Sequence, residues 1–122
     1  MATKAMGGGG SEVGNGFTVF GNDPDYLKWR RANPDKYVLN TNRGFSSSHT
    51  KLHRAKCSVL ERAANTTRPG YLTGVRYFKV GADTSKIAMR WLHARRSECE
   101  ATWCRVCCSD RIATQGDSVG NG

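Results

Sequence analysis

Two short pairs, His53-x-x-x-Cys57 and Cys104-x-x-Cys107, limit what this chain can fold into more than any other feature. If both pairs serve one site, the C-terminal part must return to the segment Leu52-His53-Arg54-Ala55-Lys56-Cys57. In a C-x-x-C turn the two thiolates converge on one tetrahedral ion while the intervening backbone donates hydrogen bonds to the sulfurs. The His-x-x-x-Cys pair can face the same point where the chain leaves a strand and enters a turn or a first helical turn. A lone Cys is usually a small buried apolar residue, and a lone His an ordinary surface or core residue. Two clustered pairs have instead the composition and spacing of a structural zinc site. Zn2+ is therefore the expected cofactor, held by His53, Cys57, Cys104 and Cys107. Cys99 and Cys108 keep the ligand choice open, since Cys107-Cys108 offers adjacent sulfurs and Cys99 could replace a ligand in a different register. The five cysteines are an odd number and no secretory signal is evident, which argues against a disulfide framework.

A chain of 122 residues has room for one domain with tails. Residues 1–16, with Gly7-Gly8-Gly9-Gly10, and the small polar residues 113–122 read as disordered tails around a domain at 17–112. A domain of about a hundred residues has a marginal core, and a metal staple is useful to it. No stretch approaches the roughly 18 consecutive apolar residues of a membrane span, so a soluble cytoplasmic protein without membrane association is expected. The net charge of +9 is unevenly spread: residues 28–96 hold sixteen Lys or Arg against three acids, Asp35, Glu61 and Asp83, and so carry +13. A basic, arginine-rich middle suggests a polyanionic partner, nucleic acid before a membrane surface. The plain alternative is a solvated basic surface with no specific partner.

Along the chain, residues 16–20 form a short apolar run, an edge strand or a hydrophobic plug. A helix is expected over 24–32, with Asp23 as its cap, Pro24 at the first position and a stop before Pro34. Strands are expected at 36–41, about 49–54 and 75–80, with a loop at 42–48, a short helix at 58–64 and a breaker segment at 65–70. Gly81 should end the third strand. The best helix spans 86–96, capped by Asp83, Thr84 or Ser85, with Ile87, Ala88, Trp91 and Leu92 as one apolar stripe. The fold class that results is α+β: a small three-stranded antiparallel sheet with flanking helices, stapled by one zinc.

This order of elements resembles the metal-binding domain of the Ada DNA-alkylation-repair protein and its stand-alone relatives, over residues 36–108. Tyr37-Val38-Leu39-Asn40 is similar to the first strand, and the segment from Leu52 to Cys57 to the first ligand pair. Tyr77-Phe78 is similar to the strand before the helix, and Trp103-Cys104-Arg105-Val106-Cys107 to the closing pair. The resemblance implies a zinc-stapled fold that binds DNA. It does not imply methyl transfer: the repair protein uses four cysteines, one of them an alkyl acceptor, whereas one ligand here would be His53, as in the stand-alone members.

Three functions from different classes remain. A zinc-stabilised nucleic-acid-binding module, with DNA favoured, would contact phosphates through Arg30, Arg31, Arg43, Lys51, Arg54, Lys56, Arg90 and Arg95. Phe45 would add stacking on an exposed or modified base, as Tyr71 or Tyr77 could. An enzyme acting on DNA is the weaker case, because the three acids and three histidines form no recognisable catalytic set. A non-catalytic accessory factor, docking on a larger nucleic-acid enzyme, is the third.

Overall fold

In the computed structural model, which describes residues 10–68, 70–73 and 76–120, a mixed six-stranded sheet lies between two layers of helices. The strands are β1 (Glu12–Val13), β2 (Phe17–Val19), β3 (Tyr37–Asn42), β4 (Lys51–Arg54), β5 (Tyr77–Ala82) and β6 (Thr102–Trp103). The helices are α1 (Asp23–Ala32), α2 (Ser58–Thr66), α3 (Ser85–Arg95) and α4 (Ser109–Gln115). Strand order is β1-β2-β5-β3-β4-β6, antiparallel throughout except for the parallel pair β4–β6.

The α+β class holds, but the expected three-stranded antiparallel sheet is corrected to six strands of mixed direction. The added strands hold two or three residues each, too few to show the alternation that marks a strand in sequence. They exist because the central strands offer them partners. The folded part also extends beyond residues 17–112 at both ends. Glu12–Val13 pairs with β2, and beyond α4 Val119 is 8 % exposed and donates its N–H to Ala101 O. Both expected tails are thus partly structured; residues 1–9 and 121–122 lie outside the described residues.

The two faces of the sheet are both covered. Leu39, Leu52, Val80, Ala82 and Trp103 pack with Ala88, Met89, Trp91 and Leu92 of α3, while Val38 packs with Phe20, Tyr26 of α1 and Leu60 of α2. Strand alternation distributes these residues: Phe78 and Val80 turn toward α3, and Lys79 turns toward Tyr26, its ammonium 5.9 Å from that ring.

The expected start of the third strand, Val75, lies outside the described residues, but its end is not at Gly81. That glycine is inside β5, paired with Val38, and a Cβ there would come within 2.7 Å of the Trp29 indole. Gly81 is thus a place where α1 approaches the sheet backbone closely, not a terminator. The cap of α1 is also shifted. Asn22, not Asp23, accepts the Asp25 N–H, and Thr84 accepts the Ile87 N–H at the start of α3.

Candidate metal centre

Register carries the two ligand pairs together. In the parallel pair β4–β6, Leu52 lies opposite Trp103, and Cys104 N–H donates to Leu52 O at 2.9 Å. The residues that follow, His53 on β4 and Cys104 just beyond β6, therefore sit side by side. A tight turn after β4, closed by Cys57 N–H to Arg54 O, places Cys57 at the N-terminal cap of α2. The knuckle after β6 closes with Cys108 N–H on Cys104 O and brings Cys107 back over β4, where the Arg54 N–H points at its sulfur at 3.2 Å. This is the backbone-to-sulfur bond expected of a thiolate ligand.

The donor atoms of His53, Cys57, Cys104 and Cys107 all lie within 4.8 Å of one another, and this cluster could hold a metal ion. Cys57 Sγ and Cys104 Sγ are 3.8 Å apart, so they are not joined as a disulfide. His53 is 5 % exposed, and its Nδ1 is buried with no hydrogen-bond partner among the described residues. A buried orphan nitrogen is costly unless something binds it. Burial pulls the His53 pKa down, but its interactions with the Cys104 and Cys57 sulfurs outweigh this and raise it above the ordinary value. Burial likewise works to raise the Cys104 pKa, but His53 and the backbone amides of Cys107 and Val106 prevail, holding the thiol at about 6. A metal ligand must be a thiolate, and Cys104 is already poised to be one.

The two remaining cysteines are not members of the cluster. Cys99 packs in the α3-side core, its sulfur 3.4 Å from Thr50 Oγ1. Cys108 lies 3.5 Å from the Cys107 sulfur but is fully buried, and burial pushes its thiol up to about 12.

The expected nucleic-acid contacts divide into two groups. Arg30 is corrected: it is 3 % exposed, donates to Ala55 O at 2.8 Å and is ion-paired with Glu61. Arg54 is likewise engaged, its guanidinium bidentate on Asp110 at 3.0 and 2.9 Å, and it holds the Asp110 carboxyl at about 2. Both clamp the α2 and α4 segments rather than face a ligand. Phe45 is half-buried, stacked on Phe78 with centroids 5.4 Å apart. Lys51 is half-buried and reaches Thr102 Oγ1 at 3.3 Å. Arg31, Arg43, Lys56, Arg90 and Arg95 are exposed, with Lys56 3.6 Å from Asp35 and Arg95 lying over the Trp91 ring.

One further residue, Asp23, reads in the sequence only as a helix cap. It is 8 % exposed, and its carboxylate accepts from Gly70 N, Leu72 N, Thr73 N and Thr73 Oγ1. These partners lie some fifty residues further along, beyond any local pattern. No helix among the described residues is long and apolar enough to cross a membrane.

Comparison with protein-family models, curated proteins and solved structures finds no match for this chain, to an Ada-type domain or to any other.

Proposed function

We propose that this protein is a zinc-stapled nucleic-acid-binding module, with DNA the favoured partner and backbone phosphates the main contact. The observation that carries the reading is a closed set of four donors of the type zinc prefers. Two thiolates about 2.3 Å from zinc at the tetrahedral angle stand about 3.8 Å apart, and Cys57 and Cys104 have that separation. Four protein ligands leave no open coordination position, so the ion would hold the fold together and supply no reaction step. The sulfurs of Cys57 and Cys104 belong to residues 1 % and 3 % exposed, which speaks against an alkyl-accepting thiolate.

Binding then falls to the exposed cations Arg31, Arg43, Lys56, Arg90 and Arg95. The test has two arms, on protein purified without a His tag. Metal analysis should find one zinc per chain, lost together with cooperative unfolding in His53→Ala and Cys104→Ser. Apparent stabilisation by structural zinc is roughly 10–16 kcal/mol in small domains, comparable to or larger than the whole stability of a domain this size. A metal-free chain with an unchanged unfolding transition would remove the staple. In the second arm, log affinity for a labelled DNA duplex should fall linearly with log salt, and Arg31→Ala or Arg90→Ala should each reduce the slope by about one. Affinity indifferent to salt would remove the phosphate reading.

A further inference from the structure

A groove of about 1340 Å³ lies between α1 and the segment at 70–73, and Arg43 and Phe78 also contribute to its lining. Leu27, Leu72 and Phe78 give it an apolar lining, and Lys28, Arg31 and Arg43 stand around it. The walls are fixed by specific contacts. The buried Asp23 carboxylate holds the backbone N–H groups of Gly70, Leu72 and Thr73, so the 70–73 wall is tied to the first turn of α1. Lys28 and Arg31 are three residues apart on α1 and lie on one side of that helix.

Phe78 packs against both the Phe45 ring, 5.4 Å away and nearly parallel, and the Arg43 guanidinium, 4.4 Å from its centroid. Phe45 takes a left-handed backbone conformation (φ 54°), unusual for an aromatic residue. Its loop is closed by Phe45 N–H on Asn42 O and Ser46 N–H on Asn42 Oδ1. Two members of this stack, Arg43 and Phe78, line the groove, so a planar cation stands beside its apolar residues.

We infer that this groove takes a single-stranded segment of nucleic acid, with one or more unpaired bases in the apolar trough and their phosphates on Lys28, Arg31 and Arg43. The inference rests on the nucleic-acid reading above and names its site and substrate class. A duplex offers only phosphates to such a surface and has no use for the trough, whereas unpaired bases have an apolar, planar body to place in it. The volume exceeds the ~300–1,000 Å³ of a typical small-molecule site, so the groove suits a stretch of strand better than one free nucleotide.

The test is fluorescence anisotropy with a labelled 12-nucleotide single strand, the same strand in a duplex, and a 12-residue abasic strand. The variant is Ala32→Trp, which puts an indole into the groove from an exposed position and leaves the charge unchanged. The wild type should bind the single strand at least tenfold more tightly than the abasic strand. Ala32→Trp should cut that preference below twofold with duplex binding unchanged. Thr67→Trp, which enters from the α2 end, repeats the measurement if the first variant does not fold. Duplex binding with equal affinity for the base-bearing and abasic strands would overturn the groove and leave the phosphate reading standing. Binding of none of the three strands would overturn both. Uptake of oleate that blocks the groove, without any base preference, would make it a lipid site and overturn the inference.

Discussion

Asp23 shows how one side chain can decide the position of a segment far from it in sequence. Its carboxylate accepts four hydrogen bonds from residues 70–73, all at a site 8 % exposed. Bonds to an ionised acceptor contribute about 1.5–3 kcal/mol each, and orphaned amides add a penalty. Asp23→Ala should therefore lower stability by at least about 2 kcal/mol in urea denaturation, with amide exchange at Leu72 and Thr73 accelerated most. Slow exchange at those amides in the variant would show that the segment is held by something else. Lys79 makes a prediction of a different kind. It is 8 % exposed, burial lowers its pKa to about 8 from 10.5 although Asp23 acts to raise it, and its Nζ donates to Asn40 Oδ1 at 2.6 Å. Between those two values the unfolded chain binds more protons than the folded one, so stability rises with pH across that window. The cost of burying the charge, present in full below pH 8, is on the order of 3 kcal/mol. Moving from about pH 7.5 to about 9.5 should stabilise the wild type by about 1–3 kcal/mol relative to Lys79→Met; parallel pH profiles would mean that Lys79 stays charged at no cost.

At the scale of elements, the contact between α1 and β5 is set by a missing side chain. Trp29 lies against Gly81 and packs its ring on Phe20 at 5.6 Å. A methyl group at position 81 would push into the indole, and overpacking of this sort typically costs about 1–3 kcal/mol. Gly81→Ala should be destabilising by about that amount, and should cost much less in a Trp29→Ala background. Equal costs in the two backgrounds would place the strain in the strand itself. The same contact explains why the glycine reads as a strand end in the sequence. A glycine after Val80 has the local signature of a terminator, and the indole that requires it arrives from a helix some fifty residues earlier. Helix α3 is legible because its determinants are local: Thr84 caps it, and Ala88, Trp91 and Leu92 recur at helical spacing. Met89, also buried, lies outside the expected stripe because a helix covered along its length buries a wider arc than the narrow stripe suggests.

Across the whole molecule, the C-terminal residues hold the edge that carries the knuckle. Asp117 O accepts from Trp103 N at 2.8 Å, Ser118 bridges Thr102, and Val119 enters the core. Ending the chain after Gln115 removes a buried valine, about 1.5–3 kcal/mol, with two backbone hydrogen bonds, each about 1 kcal/mol. Loss of about 3.5–5 kcal/mol in urea denaturation is expected, together with weaker retention of the proposed zinc, because β6 positions Cys104; stability within about 0.5 kcal/mol of the full chain would mean that the tail contributes nothing. The sequence alone was sufficient for the α+β class, the central strands, three of the helices and the four residues of the His/Cys cluster, because each of these has a local signature: a periodicity, a cap or a pair of donors at fixed spacing. Tertiary structure alone decided the short strands β1 and β6, the withdrawal of Arg30 and Arg54 from the exposed cations, and the separation of Cys99 and Cys108 from the His/Cys cluster. It also decided the course of the groove. A two-residue strand, an ion pair and a cavity wall are properties of distant segments meeting, and no periodicity along a chain records which distant partner will be there.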